Sequence, residues 1–69
     1  MIEVFKTNVE TKNDADSILD MLSRLFPGSK INFDLQDCDN ILRVEGKDFS
    51  SDKIMTLLKE NGFHCTVLE

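Results

Sequence analysis

The stretch "KINFDLQ", residues 30–36, alternates without a break. Ile31, Phe33 and Leu35 point one way; Asn32, Asp34 and Gln36 point the other. A run with period two reads as a strand with one buried and one wet face. "DCDN" (37–40) interrupts the pattern and "ILRVEG" (41–46) resumes it, with Leu42 and Val44 on one side. Two such runs joined by four Asp/Asn-rich residues predict a β-hairpin, because short carboxylate and amide side chains bond nearby backbone N–H groups in turns. A hairpin with one apolar face cannot stand alone in water, so the rest of the chain must supply a covering layer.

Two segments have the period that such a layer needs. In "DADSILDMLSRLF" (14–26), Ala15, Ile18, Leu19, Leu22, Leu25 and Phe26 recur at helical spacing. Asn13 is the expected N-cap, Asp14 and Asp16 suit the positive first turn, and Pro27 stops the helix. In "DKIMTLLKENG" (52–62), Ile54, Leu57, Leu58 and Asn61 share a side. Ser50 or Ser51 can cap it, and Gly62 stands where a left-handed residue is wanted. "IEVFKTNV" (2–9) reads as an opening strand and "FHCTVLE" (63–69) as a closing one, with Phe63, Cys65 and Val67 alternating against His64, Thr66 and Leu68.

The expected order is β-α-β-β-α-β in one domain spanning residues 1–69. The predicted fold class is α+β: a ferredoxin-like two-layer sandwich, with an antiparallel sheet of order 4-1-3-2 and both helices on one face. The other sheet face is expected to be polar, carrying Asn32, Asp34, Gln36, Arg43 and Glu45.

With 69 residues, the chain buries only about 60% of the surface its unfolded form exposes, which leaves little room for a deep cleft beside a core. A net charge of −5 argues against nucleic acid or anionic membrane, both of which need clustered Lys and Arg. Two cysteines without a C-x-x-C spacing, and no apolar run long enough for a signal or a membrane span, predict a cytoplasmic protein with reduced thiols.

The chain resembles the heavy-metal-associated, copper-chaperone-like domains over nearly its whole length. "PGSKI" is similar to that family's Gly-apolar lead into its second strand, and "IMTLLKENGF" to its second helix and Gly-aromatic close, with Phe63 at the aromatic position. The family's first helix starts at an M-x-C-x-x-C metal loop followed by an apolar residue, a place that Ile18 takes. Counting back puts Asp14 and Thr11 at the two cysteines and Val9 at the methionine. The resemblance therefore implies the scaffold without its thiolate pair, which soft ions such as Cu(I) require. Small-molecule-sensing ACT domains share the same element order and stand as another scaffold relative.

The remaining ligand types do not form a site within one chain. The "DCDN" tip, the loop before the first helix and the start of the last strand are expected at one end. The tip nevertheless sits about 12 Å from the last strand at ~4.8 Å per strand spacing, too far for Cys38 and Cys65 to share a zinc ion or a disulfide. His64 and Cys65 point to opposite faces. Cys65 reads as a small core residue, and Asp37, Asp39 and Asn40 as turn formers without the glycine and distant glutamate of an EF-hand. No Ser-His-Asp or Cys-His pair and no phosphate loop is present, so no catalytic residue, metal or cofactor is assigned. The expected function is a non-catalytic binding or interaction module. Its partner is another protein, or a second copy joined through an edge strand. "KINFDLQ" is the better edge, guarded by Lys30 and Asp34. The alternative is a metal-handling protein whose site joins Cys38 and His64 of neighbouring chains.

Overall fold

A computed structural model describes residues 1–36 and 38–68. Along the chain lie β1 (Ile2–Thr7), α1 (Lys12–Leu25), β2 (Lys30–Asp34), β3 (Ile41–Glu45), α2 (Ser51–Glu60) and β4 (Cys65–Val67). The strands form one antiparallel sheet with neighbours β2-β3-β1-β4, so β3 and β1 are central and β2 and β4 are edges.

The register fixes which side chains share a face. Phe5 stands opposite both Leu42 and Val67, and Leu42 is also opposite Phe33. Val44 is opposite Ile31. Onto this face α1 brings Ala15, Ile18 and Leu22, and α2 brings Ile54 and Leu58, all buried in one cluster. Val9 and Phe49 close it from the loops. Phe49 lies in "KDFSSDK", which reads from the sequence as a plain break, yet it is one of the buried residues.

Thr11, rather than Asn13, caps α1. Its backbone is extended and its Oγ1 accepts the Asp14 N–H at 3.1 Å. Both residue types cap well; the choice falls to Thr11 because Val9 is anchored in the core and leaves only Glu10 before the helix must begin. Asp14 is then the acidic residue of the first turn, and Asp16 lies beyond it. At the far end Phe26 adopts φ −128°, ψ 69°, outside helical geometry as the residue before Pro27 must. Leu25, expected on the core stripe, is instead 54% exposed. The stripe runs from Leu22 to Phe26, which is half-buried against the core, and Leu25 projects into an open groove beside Leu57 and Thr56 of α2.

Ser50 caps α2 by accepting the Lys53 N–H. The helix ends in a Schellman arrangement: the Phe63 N–H donates to the Leu58 carbonyl at 2.9 Å and the Gly62 N–H to the Lys59 carbonyl at 3.0 Å, with Gly62 at φ +86°. Phe63 packs on the cluster that contains Leu58, supplying the apolar contact that accompanies this motif. Between β2 and β3, Asp34 Oδ1 accepts the Gln36 N–H and ends the strand, and Asn40 takes a left-handed φ of 47° before β3 begins. Asp37, read as a turn former, lies outside the described residues.

Gly62→Ala forces an L side chain into the left-handed region, and about 1–2 kcal/mol of stability is lost. Gly28→Ala, where an added Cβ meets nothing within 4 Å, serves as the neutral comparison. Urea unfolding of the two variants separates the predictions: equal midpoints contradict this account of the α2 terminus.

Candidate functional site

The hairpin tip, the loop before α1 and the start of β4 do meet at one end of the molecule, and Thr7 joins them. Its N–H donates to the Asp39 carbonyl at 3.2 Å, and its Oγ1 donates to the Asn40 carbonyl at 2.6 Å. The same Oγ1 accepts the Val9 N–H at 3.2 Å. Thr7 is the one buried polar side chain among the described residues, at 7% exposure. Next to it the Asn8 N–H donates to the His64 carbonyl, and Asn8 Oδ1 accepts the His64 N–H at 2.7 Å. Sequence reading passed over Thr7 as an ordinary strand residue. The available signal was a hydroxyl followed by an Asx residue at the end of a strand, both of which bond turn backbone.

This end orders backbone but does not gather ligands. Cys38 and His64 are both exposed, and β1 stands between β3, which follows Cys38, and β4, which follows His64. Lys6 and Asp39 approach at 3.5 Å on the surface, a pair worth little. Among the described residues no three His, Cys, Asp or Glu side chains are grouped to hold an ion. The positions that the resemblance equates with the two cysteines, Thr11 and Asp14, have another occupation: Thr11 caps α1 through the Asp14 N–H. Their donors are a hydroxyl and a carboxylate, hard oxygens that do not suit a soft cation.

Cys65 packs half-buried against the core, facing an open groove of about 600 Å³ that Met55, Lys59 and Phe63 also line. Burial pushes its thiol from the ordinary value of 9.0 up to about 11. At neutral pH it is a protonated, weakly nucleophilic group.

The open face of the sheet differs from the polar surface expected. Asn32, Asp34 and Arg43 are exposed on it, with Glu45 half-buried, but Gln36 falls outside β2. Pairing sets Val4 opposite Arg43 and Ile2 opposite Glu45. The Leu68 N–H donates to the Val4 carbonyl, which brings Leu68 alongside. Ile2 is 49% and Leu68 41% exposed. Ile2, Val4 and Leu68 therefore make an apolar strip on this face, flanked by Lys6 and Thr66 and by the polar residues of β2 and β3. Two of the three outward positions of β1, Ile2 and Val4, are β-branched, so strand propensity and burial point different ways there.

Comparison of the chain with protein-family models, with curated proteins and with solved structures finds no match.

Replacing Thr7 by Val keeps shape but strips two partners of their bonds, so stability falls by about 1–3 kcal/mol. Thr7→Ser, which keeps the hydroxyl, loses roughly 0.8 kcal/mol; the reverse ranking in chemical unfolding refutes the role given to Oγ1. For the thiols, iodoacetamide at pH 8 labels exposed Cys38 well before Cys65, as peptide mass mapping will show. Because the folded thiol titrates near 11 and the unfolded one near 9.0, the Cys65 contribution is complete below pH 9 and declines between pH 9 and 11. That decline is absent from the difference curve if Cys65→Val titrates like the parent.

Proposed function

We propose that this chain is a non-catalytic interaction module on a ferredoxin-like scaffold that binds a protein partner through the uncovered side of its sheet. The element order and the β2-β3-β1-β4 arrangement support the scaffold. The resemblance to heavy-metal-associated domains supports it further, and the capping roles of Thr11 and Asp14 favour a version without soft-metal chemistry.

One observation carries the binding role. Val4, Ile2 and Leu68 form an apolar strip on a face that neither helix covers, beside Arg43 and Lys6. Exposed apolar area rimmed by charge marks docking surfaces on small proteins. The net charge of −5 disfavours nucleic acid and anionic lipid, and among the described residues no helix is long and apolar enough to cross a membrane. Both thiols are free, which fits a reducing, cytoplasmic setting.

A photo-crosslinking amino acid at position 4 or 68 is expected to capture one discrete protein in the source cells, whereas the same group at Asp20, on the exposed side of α1, captures none. Leu68→Lys should abolish the capture while moving stability by less than about 0.5 kcal/mol. Equal capture from Asp20, or capture that survives Leu68→Lys, removes the open face from consideration.

A further inference from the structure

We infer that β2 is the contact by which two copies of this chain pair, antiparallel and about a two-fold axis through Asn32. This rests on the reading of the chain as an interaction module and names the partner of a second surface, the sheet edge, as another copy of itself.

β2 has one neighbour, β3, so one row of its backbone N–H and C=O groups has no strand beside it. The other edge, β4, spans only Cys65–Val67, whereas β2 spans Lys30–Asp34. A second copy laid against β2 must keep its helix-covered face on the same side, since a shift by one residue sets buried side chains against wet ones. For a two-fold pair, that restricts the axis to a residue rather than to the gap between two.

Charge then chooses among the residues. With the axis at Asn32, Lys30 of each copy stands opposite Asp34 of the other, and both ion pairs form at once. With the axis at Ile31, Lys30 meets Asn32 and Asp34 meets Gly28. With the axis at Phe33, Lys30 meets Gln36 and Asp34 meets Asn32. Only the Asn32 axis brings opposite charges together. Among the described residues neither Lys30 nor Asp34 takes part in an ion pair within its own chain.

The covered side of the strand agrees with this register. Ile31 and Phe33 face the core yet are only half-buried, because the sheet stops beside them. About Asn32, Ile31 of one copy stands opposite Phe33 of the other, twice. Aromatic and β-branched partners are a favourable cross-strand pair. Lys30 and Asp34 guard the edge against strands at large and, in this one arrangement, select the chain's own copy. The pairing extends the sheet from four strands to eight and points the two hairpin tips in opposite directions. It does not bring Cys38 of one copy to His64 of the other.

The test is charge exchange, read by sedimentation equilibrium with native mass spectrometry. The parent protein is expected to dimerise. Lys30→Glu and Asp34→Lys each place two like-charge pairs at the contact and weaken the dimer about tenfold. Mixing those two variants restores both ion pairs and gives a heterodimer, and the double variant Lys30→Glu/Asp34→Lys dimerises again. Asp34→Lys also removes the bond to the Gln36 N–H, so circular dichroism must confirm its fold; if it melts, Lys30→Glu carries the test together with Asn32→Cys. In a Cys38→Ser background, Asn32→Cys puts two cysteines directly opposed, with Cα atoms about 4.5–5.5 Å apart, within disulfide reach, and oxidation yields a covalent dimer. A parent that stays monomeric overturns the inference, as does a dimer indifferent to both reversals, while capture through Val4 and Leu68 remains a separate question.

Discussion

Phe5 and Leu42 face one another at the middle of the sheet, and both are completely buried. The rest of the architecture answers to that pair. Burying one such side chain stabilises by about 1.5–3 kcal/mol. The whole core of a chain this size supplies only about 3–5 kcal/mol net. The helices therefore have little latitude: Ile18 and Leu22 from one side, and Ile54 and Leu58 from the other, must arrive over the same few residues. That requirement places the caps at Thr11 and Ser50, and it leaves the opposite face of the sheet bare. The bare face and the free edge follow from having two helices and four strands, enough to cover one side only.

The ends of the sheet are held by different means. At one end, polar groups do the work through Thr7 and Asn8, which bind the backbone of the hairpin tip and of the segment entering β4. At the other, the Gly46 N–H donates to the Met1 carbonyl, and Ser51 Oγ donates to Glu3 Oε1 at the start of α2. Glu3 points toward the helix-covered side, where a carboxylate beside a helix N-terminus is favourable. In this way a core of limited strength is framed by bonds that link residues far apart in sequence.

Much of the α+β architecture was legible because its elements carry clean periods. The alternation of "KINFDLQ" and "FHCTVL" matched the observed half-buried and exposed residues, and the stripes through Ile18, Leu22, Ile54 and Leu58 matched the buried faces. Gly62 was readable because one residue type suits its conformation. Capping preference ranks Asn above Thr and so points to Asn13 for α1, whereas the anchoring of Val9 gives the position to Thr11. Leu25 was misplaced because a proline-terminated helix passes its last core position to Phe26. For the candidate site, strand directions alone brought the hairpin tip and β4 to one end. The part played by Thr7 and the apolar strip of Ile2, Val4 and Leu68 on the open face were not visible, because both depend on which strands lie side by side.

The position of β1 bears on how the protein comes into being. Of the four strands β1 is made first, yet it is a central one, pairing with β3 and with β4 at residues 65–67. Until β4 emerges, Phe5 lacks the partner that Val67 provides, and one edge of β1 stands open. The sheet is thus completed only once β4 has been made, as expected where contacts join distant residues. During that interval the nascent strand is the species most exposed to wrong partners.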